Sequence, residues 1–159
     1  MEGRFNYAKV APGGYQAMAG LERYLHQCGL EAPLLHLIKL RASQINGCAY
    51  CLDMHWKDLR AAGEQEQRLY SLDAWRECPY YTERERAALA WTEAVTLITN
   101  GHVPDAVYEQ ARAQFSEKEL SDLTLAVTTI NAWNRLSIAA RTVPGGHQPT
   151  VPGRPQTGS

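Results

Sequence analysis

Leu37-Ile38-Lys39-Leu40-Arg41-Ala42-Ser43-Gln44-Ile45-Asn46-Gly47-Cys48-Ala49-Tyr50-Cys51-Leu52-Asp53-Met54-His55 reads as the end of one helix, a break, and the start of another. Leu34, Leu37, Ile38, Arg41 and Ile45 fall on successive helical turns after Pro33, a residue suited to a first turn. Asn46-Gly47 breaks that pattern and makes Gly47 the hinge. From Cys48 the periodicity resumes through Leu52, Leu59 and Ala62 to Gly63, which puts a Cys-x-x-Cys pair in the first turn of the next helix.

Working outward, the same periodicity fills most of the chain. Met18, Leu21, Tyr24, Leu25 and Cys28 predict a helix over 15–28, preceded by an irregular arm ending at Pro12-Gly13-Gly14 and stopped by Gly29. Glu64 to about Trp75 reads as a short helix, and Cys78-Pro79-Tyr80-Tyr81 as a connector. Thr82-Glu83-Arg84-Glu85 and Ser116-Glu117-Lys118-Glu119 have the form of capping boxes. The first opens a helix through Leu89, Trp91, Val95 and Ile98, and the second a helix to about Thr142; Pro104 starts another between them, ending near Phe115. Leu123 to Ile130 is rich in β-branched residues, yet the cap before it and the spacing of Leu120, Leu123, Val127, Ile130 and Leu136 favour helix. The expectation is an all-α, single-domain bundle of about six to seven helices over residues 1–143. The stretch 144–159, with four Pro and four Gly, is read as a flexible tail.

Composition narrows the function classes. Of the 159 residues 45% are apolar, the mixture of one globular domain. Sixteen basic against seventeen acidic side chains leave a formal charge of −1, so no general attraction to nucleic acid or anionic lipid is expected. Apolar runs are far shorter than the roughly 20 residues that span a bilayer. Met1 to Tyr7 lacks the basic and apolar regions of a secretory signal, which makes a cytoplasmic location the expectation.

Four cysteines, at 28, 48, 51 and 78, do not read as a disulfide framework; Cys28 and Cys78 are expected to be inert packing thiols. Cys48 and Cys51 differ, because a helix start offers unpaired amides and a positive dipole end that favour thiolate. A spacing of three puts them one turn apart, close enough for a disulfide. His55 lies four residues after Cys51, about 40° around the helix, where an imidazole can take that sulfur's proton. His36 is eleven residues before Gly47 and His55 eight beyond it, so an antiparallel reversal leaves them offset axially by roughly 4 to 5 Å. His36 is therefore a candidate relay to His55.

Rival readings exist for these residues. A thioredoxin-like site needs strands around the pair, and none is apparent. Zinc held by Cys48, Cys51, His55 and His36 has suitable donors, but three of the four lie on one helix whose side chains spread over more than one face. A non-catalytic redox sensor would use the same dithiol.

The run 37–55, together with Leu123-Thr124-Leu125-Ala126-Val127 and Ile130-Asn131-Ala132-Trp133-Asn134-Arg135, resembles the alkylhydroperoxidase D-like branch of the carboxymuconolactone decarboxylase superfamily over about residues 15–143. The resemblance implies an all-helical homo-oligomer, trimeric or hexameric, that reduces hydroperoxides without a cofactor. It implies that Cys51 attacks peroxide, Cys48 resolves the product, His55 handles the proton, and a lipoyl protein or thioredoxin-type dithiol restores the pair. Two positions depart from the family pattern: the relay glutamate is replaced by His36, and the histidine within the pair by Tyr50. A cationic His36 would lower the basicity of His55, where a carboxylate raises it. Lactone decarboxylation ranks last, since that branch typically lacks the dithiol.

Overall fold

The computed structural model describes residues 2–149. Among them the chain forms α1 (Tyr7–Val10), α2 (Pro12–Leu25), α3 (Ala32–Asn46), α4 (Ala49–Ala61), α5 (Glu66–Tyr70), a 3₁₀ helix (Leu72–Glu77), α6 (Glu83–Thr96), α7 (Asp105–Arg112) and α8 (Glu117–Ala140). The architecture is all-α, as the periodicity predicts, but the helices are more numerous. The N-terminal arm contains α1, capped by the Asn6 side chain, and α2 starts at Pro12, three residues earlier than expected, because proline fits the first helical turn. The stretch 64–75 divides into α5 and the 3₁₀ helix.

Both capping boxes are present. The Thr82 hydroxyl accepts from the Glu85 amide at 3.2 Å while Glu85 accepts from the Thr82 amide at 2.8 Å, and Ser116 and Glu119 repeat the exchange with the same distances. Two orphan donors are thus satisfied at the start of α6 and of α8.

Helix α3 is the axis of the bundle and packs against α4, α6 and α8. Its Leu34, Leu35 and Ile38 join Leu25, Ala87, Ala88, Phe115, Leu123 and Val127 in one core, while Leu37 and Leu40 join Leu59, Leu69, Leu72, Trp75 and Leu89 in another. A helix buried on so much of its circumference has no single apolar stripe. Where it must bury charge it does so in pairs: Lys39, 5% exposed, reaches Glu22 on α2, and Arg41 donates to Glu93 on α6 at 2.9 Å. Glu93 also accepts from the Trp75 indole at 2.8 Å and from Arg76, which ties the 3₁₀ helix to α6.

The turn between α3 and α4 is set by Gly47, at φ 66° and ψ 34°. Its amide donates to the Gln44 carbonyl and the Cys48 amide to the Ser43 carbonyl, at 3.2 and 3.1 Å, so the last carbonyls of α3 are capped as α4 begins. The same pair of bonds closes α8, where Arg141 occupies the left-handed position at φ 52°. A Cβ at residue 47 would meet nothing within 4 Å, so a substitution there is opposed by backbone strain alone. Gly47→Ala is therefore expected to cost about 1 kcal/mol, and Arg141→Gly to gain up to about 1 kcal/mol, by urea unfolding midpoints at constant slope.

Candidate active site

Cys48 is the N-cap of α4, in extended conformation, and its sulfur accepts the Cys51 amide at 3.4 Å. Cys51 lies within the first turn. Both are 1% exposed, and neither is disulfide-bonded. The turn therefore treats the two sulfurs differently, a distinction that the expectation of a thiolate at Cys51 does not contain. The hydrogen bond from the Cys51 thiol, the amides of Cys51 and Tyr50, and the Asn134 side chain together lower the Cys48 thiol from 9.0 to about 7. The Cys51 thiol is pushed up, because it donates to Cys48, is buried, and sits beside the charge that Cys48 acquires. The hydrogen bonds of the turn thus favour negative charge at position 48 over position 51.

A buried polar network fixes this turn from below. Asn134 of α8, fully buried, donates to the Ser43 hydroxyl at 3.0 Å and accepts from Asn46 at 2.9 Å. Ser43 donates to the Lys39 carbonyl at 2.8 Å, and Asn46 also donates to Asn131, whose amide reaches Thr96 on α6. None of these residues was singled out by the sequence reading as part of the site. A signal was available: Asn134 continues the buried stripe of Leu123, Val127 and Ile130, where an amide side chain needs buried partners.

Above the turn the sulfurs face different spaces. Cys51 lines a cleft of about 270 Å³ that also contains His36, His55, Asp58, Tyr50 and Trp133. Cys48 lines an adjoining hollow formed with Ile138, Val143 and Pro144, which meets the cleft at Tyr50 and Ser137. In the cleft the rings of His36 and His55 lie 6.0 Å apart between centroids, tilted by 59°. His55 is 5% exposed, and neither of its nitrogens has a hydrogen-bond partner; Nδ1 of His36 also lacks one. The direct bond from His55 to Cys51 that a four-residue spacing allows is thus not formed. Burial, reinforced by the Lys39 charge, pushes both imidazoles below the ordinary range, His55 strongly, so both are neutral at pH 7.

The rim is built by residues that local sequence patterns do not connect. Tyr7, Tyr15 and Trp133 pack with ring centroids 5.7 to 6.2 Å apart, and the Trp133 indole donates to Glu22 at 3.1 Å. The segment after α8 runs back along α4: the Gly145 amide donates to Asp53 at 3.0 Å, and Lys57 donates to the Gly145 carbonyl at 3.2 Å. His147 then contacts Asp58 at 2.6 Å. The start of the Pro/Gly-rich stretch is docked, and residues 150–159 lie outside the described residues. Of the His, Cys, Asp and Glu side chains described, those whose donor atoms converge are His36, His55 and Asp58, within 4.8 Å of one another. Cys48 and Cys51 do not join them, so the four-ligand Cys₂His₂ arrangement is not assembled.

The carboxymuconolactone decarboxylase family model matches residues 12–94. The chain belongs to this family, in its alkylhydroperoxidase D-like branch. The uncharacterized protein YdfG of Bacillus subtilis is 45% identical over 139 residues, covering 87% of this chain and 95% of that one. A crystal structure of an Agrobacterium tumefaciens protein of unknown function, with a suggested identity as the antioxidant defence protein AhpD, superimposes with a TM-score of 0.88 at 46% identity, over 92% of this chain and all of that one. An alkylhydroperoxidase AhpD core protein from Ralstonia eutropha, at 20% identity and a TM-score of 0.77 over 87% of this chain and 74% of that one, shares the fold. Among the described residues, no helix is long and apolar enough to cross a membrane.

The asymmetry of the sulfurs is measurable. Thiolate absorbance of the reduced protein should rise with pH through a midpoint near 7 and lose that midpoint in Cys48→Ser. Asn134→Ala should move the midpoint upward and cost about 2 kcal/mol in urea unfolding, because Ser43 and Asn46 lose their buried partner.

Proposed function

We propose that this protein is a thiol-dependent hydroperoxide reductase in which Cys51 meets the peroxide and Cys48 resolves the oxidised sulfur. The observation that carries this reading is that Cys51 opens into the cleft holding His36 and His55, while Cys48 opens elsewhere. Peroxide in the cleft reaches one sulfur, and the other holds the thiolate that resolves the product.

Above about pH 7 the pair carries one proton and one negative charge. Moving the proton off Cys51 leaves a thiolate that attacks the terminal peroxide oxygen; the O–O bond breaks, Cys51 becomes a sulfenic acid, and an alkoxide departs. The alkoxide takes the proton that Cys51 gave up. Neutral His55, with both nitrogens unpartnered, passes it through water: one nitrogen accepts as the other donates, so the ring ends neutral. His36, whose ring stands beside it, positions that relay. The Cys48 thiolate then attacks the sulfenic sulfur and expels hydroxide. In total, one hydroperoxide and two thiols give an alcohol, water and a disulfide.

An external dithiol must reopen the disulfide by exchange, and a lipoyl protein or thioredoxin-type donor fits that chemistry. Assembly as a homo-oligomer belongs to the same proposal. Lactone decarboxylation transfers no electrons and would leave the dithiol without a role.

The test is hydroperoxide consumption by the reduced full-length protein with a panel of dithiol donors. Cys51→Ser should abolish turnover, and Cys48→Ser should consume at most one equivalent without added thiol. Equal, unimpaired turnover by both variants would overturn the proposal. With the donor in excess, the wild-type rate should fall as pH drops below about 7, as the pair becomes fully protonated.

A further inference from the structure

The cleft contains a second chemistry that peroxide reduction does not use. His55 and Asp58 are three residues apart on α4 and so project from one face of the helix, the spacing by which paired ligands on bundle helices reach a common ion. The reversal at Gly47 brings His36 of α3 opposite them. The three donor atoms lie within 4.8 Å of one another, against edges of about 3.4 Å in a tetrahedron with bonds of about 2.1 Å, so small side-chain movements close the set.

Hydrogen bonding makes the case more specific. A buried histidine ordinarily has its nitrogens satisfied, yet both nitrogens of His55 and Nδ1 of His36 have no partner here. The third ligand is supported from behind, because Asp58 is held by His147 at 2.6 Å, as an outer partner orients a ligating carboxylate. Lys39, a cation lining the same cleft, is paired with Glu22. We propose that His36, His55 and Asp58 form a binding site for a divalent transition ion of the zinc or cobalt type. Two imidazoles and one carboxylate suit such ions better than calcium or magnesium, which take oxygen ligands. Three protein ligands leave a fourth position open to the cleft.

This site does not depend on peroxide chemistry, and the experiment separates the two. Reduced full-length Cys48→Ser/Cys51→Ser protein is titrated with Co²⁺ and its visible d–d absorption followed. A tetrahedral band saturating at one equivalent, and weakened about tenfold or more in apparent affinity by His36→Gln and by Asp58→Asn, is the expected result. His147→Ala, a change in the docked segment outside the helical core, should weaken binding by about 10- to 100-fold with the melting temperature preserved. It serves as the probe if either ligand variant fails to fold. Absence of a band at millimolar cobalt would overturn the proposal. So would a band that survives every one of these substitutions, or a wild-type spectrum dominated by thiolate-to-cobalt charge transfer.

Discussion

A single left-handed residue, Gly47, decides where α3 ends, where α4 begins and which cysteine meets the free amides of the new helix. Its conformation satisfies the last carbonyls of α3 and leaves Cys48, the next residue, as the N-cap of α4. The reversal also lays His36 against His55, so the dithiol and the imidazole pair are consequences of the same turn.

The turn is rigid because of what lies beneath it. Ser43, Asn46, Asn131 and Asn134 join α3 to α8 through buried hydrogen bonds that reach Thr96 on α6. Such a network is favourable only when complete, since each amide left unpaired would cost about 1–3 kcal/mol. It therefore favours one register of α8 against α3, and that register is what brings Asn134 to the Cys48 sulfur. Charge at position 48 is thus supported by tertiary packing as well as by the helix start.

Much of this was legible in the chain, for reasons that differ by element. The capping boxes at Thr82 and Ser116 are chemistry between residues three apart, and they mark the starts of α6 and α8 correctly. The glycine at 47 and the cysteines beside it are equally local. Helix α3 is harder: Leu35 and Leu40 are buried along with Leu37, because neighbours cover it on several sides, and a one-stripe reading captures only part of its core. The expectation of a thiolate at Cys51 rests on its place in a first turn and on His55 one turn on, and neither says which sulfur accepts the amides. His147 and Trp133, which engage Asp58 and Tyr7, are distant from them in sequence, so local patterns do not connect them. The Pro/Gly composition after residue 143 predicts a flexible tail, and composition carries no information about the docking of its start on Asp53, Lys57 and Asp58.

An imidazole at position 36, where the family resemblance leads one to expect a carboxylate, sets the electrostatics of the cleft in a definite direction. A carboxylate facing His55 would favour the imidazolium and fix one nitrogen as a donor. An imidazole there does neither; burial disfavours charge on His55, and the Lys39 charge and the His36 ring act in the same sense. Asp58, the acid nearest the pair, is engaged with His147 at the rim. The result is two neutral rings with unused lone pairs in a space that admits small molecules. Neutral rings are poor reservoirs for a proton but good conduits for one, and they are also good metal ligands. Proton relay and metal coordination require the same lone pairs on His55, so an ion held at His36, His55 and Asp58 would close the relay while leaving the Cys48 charge, on the other side of the turn, intact.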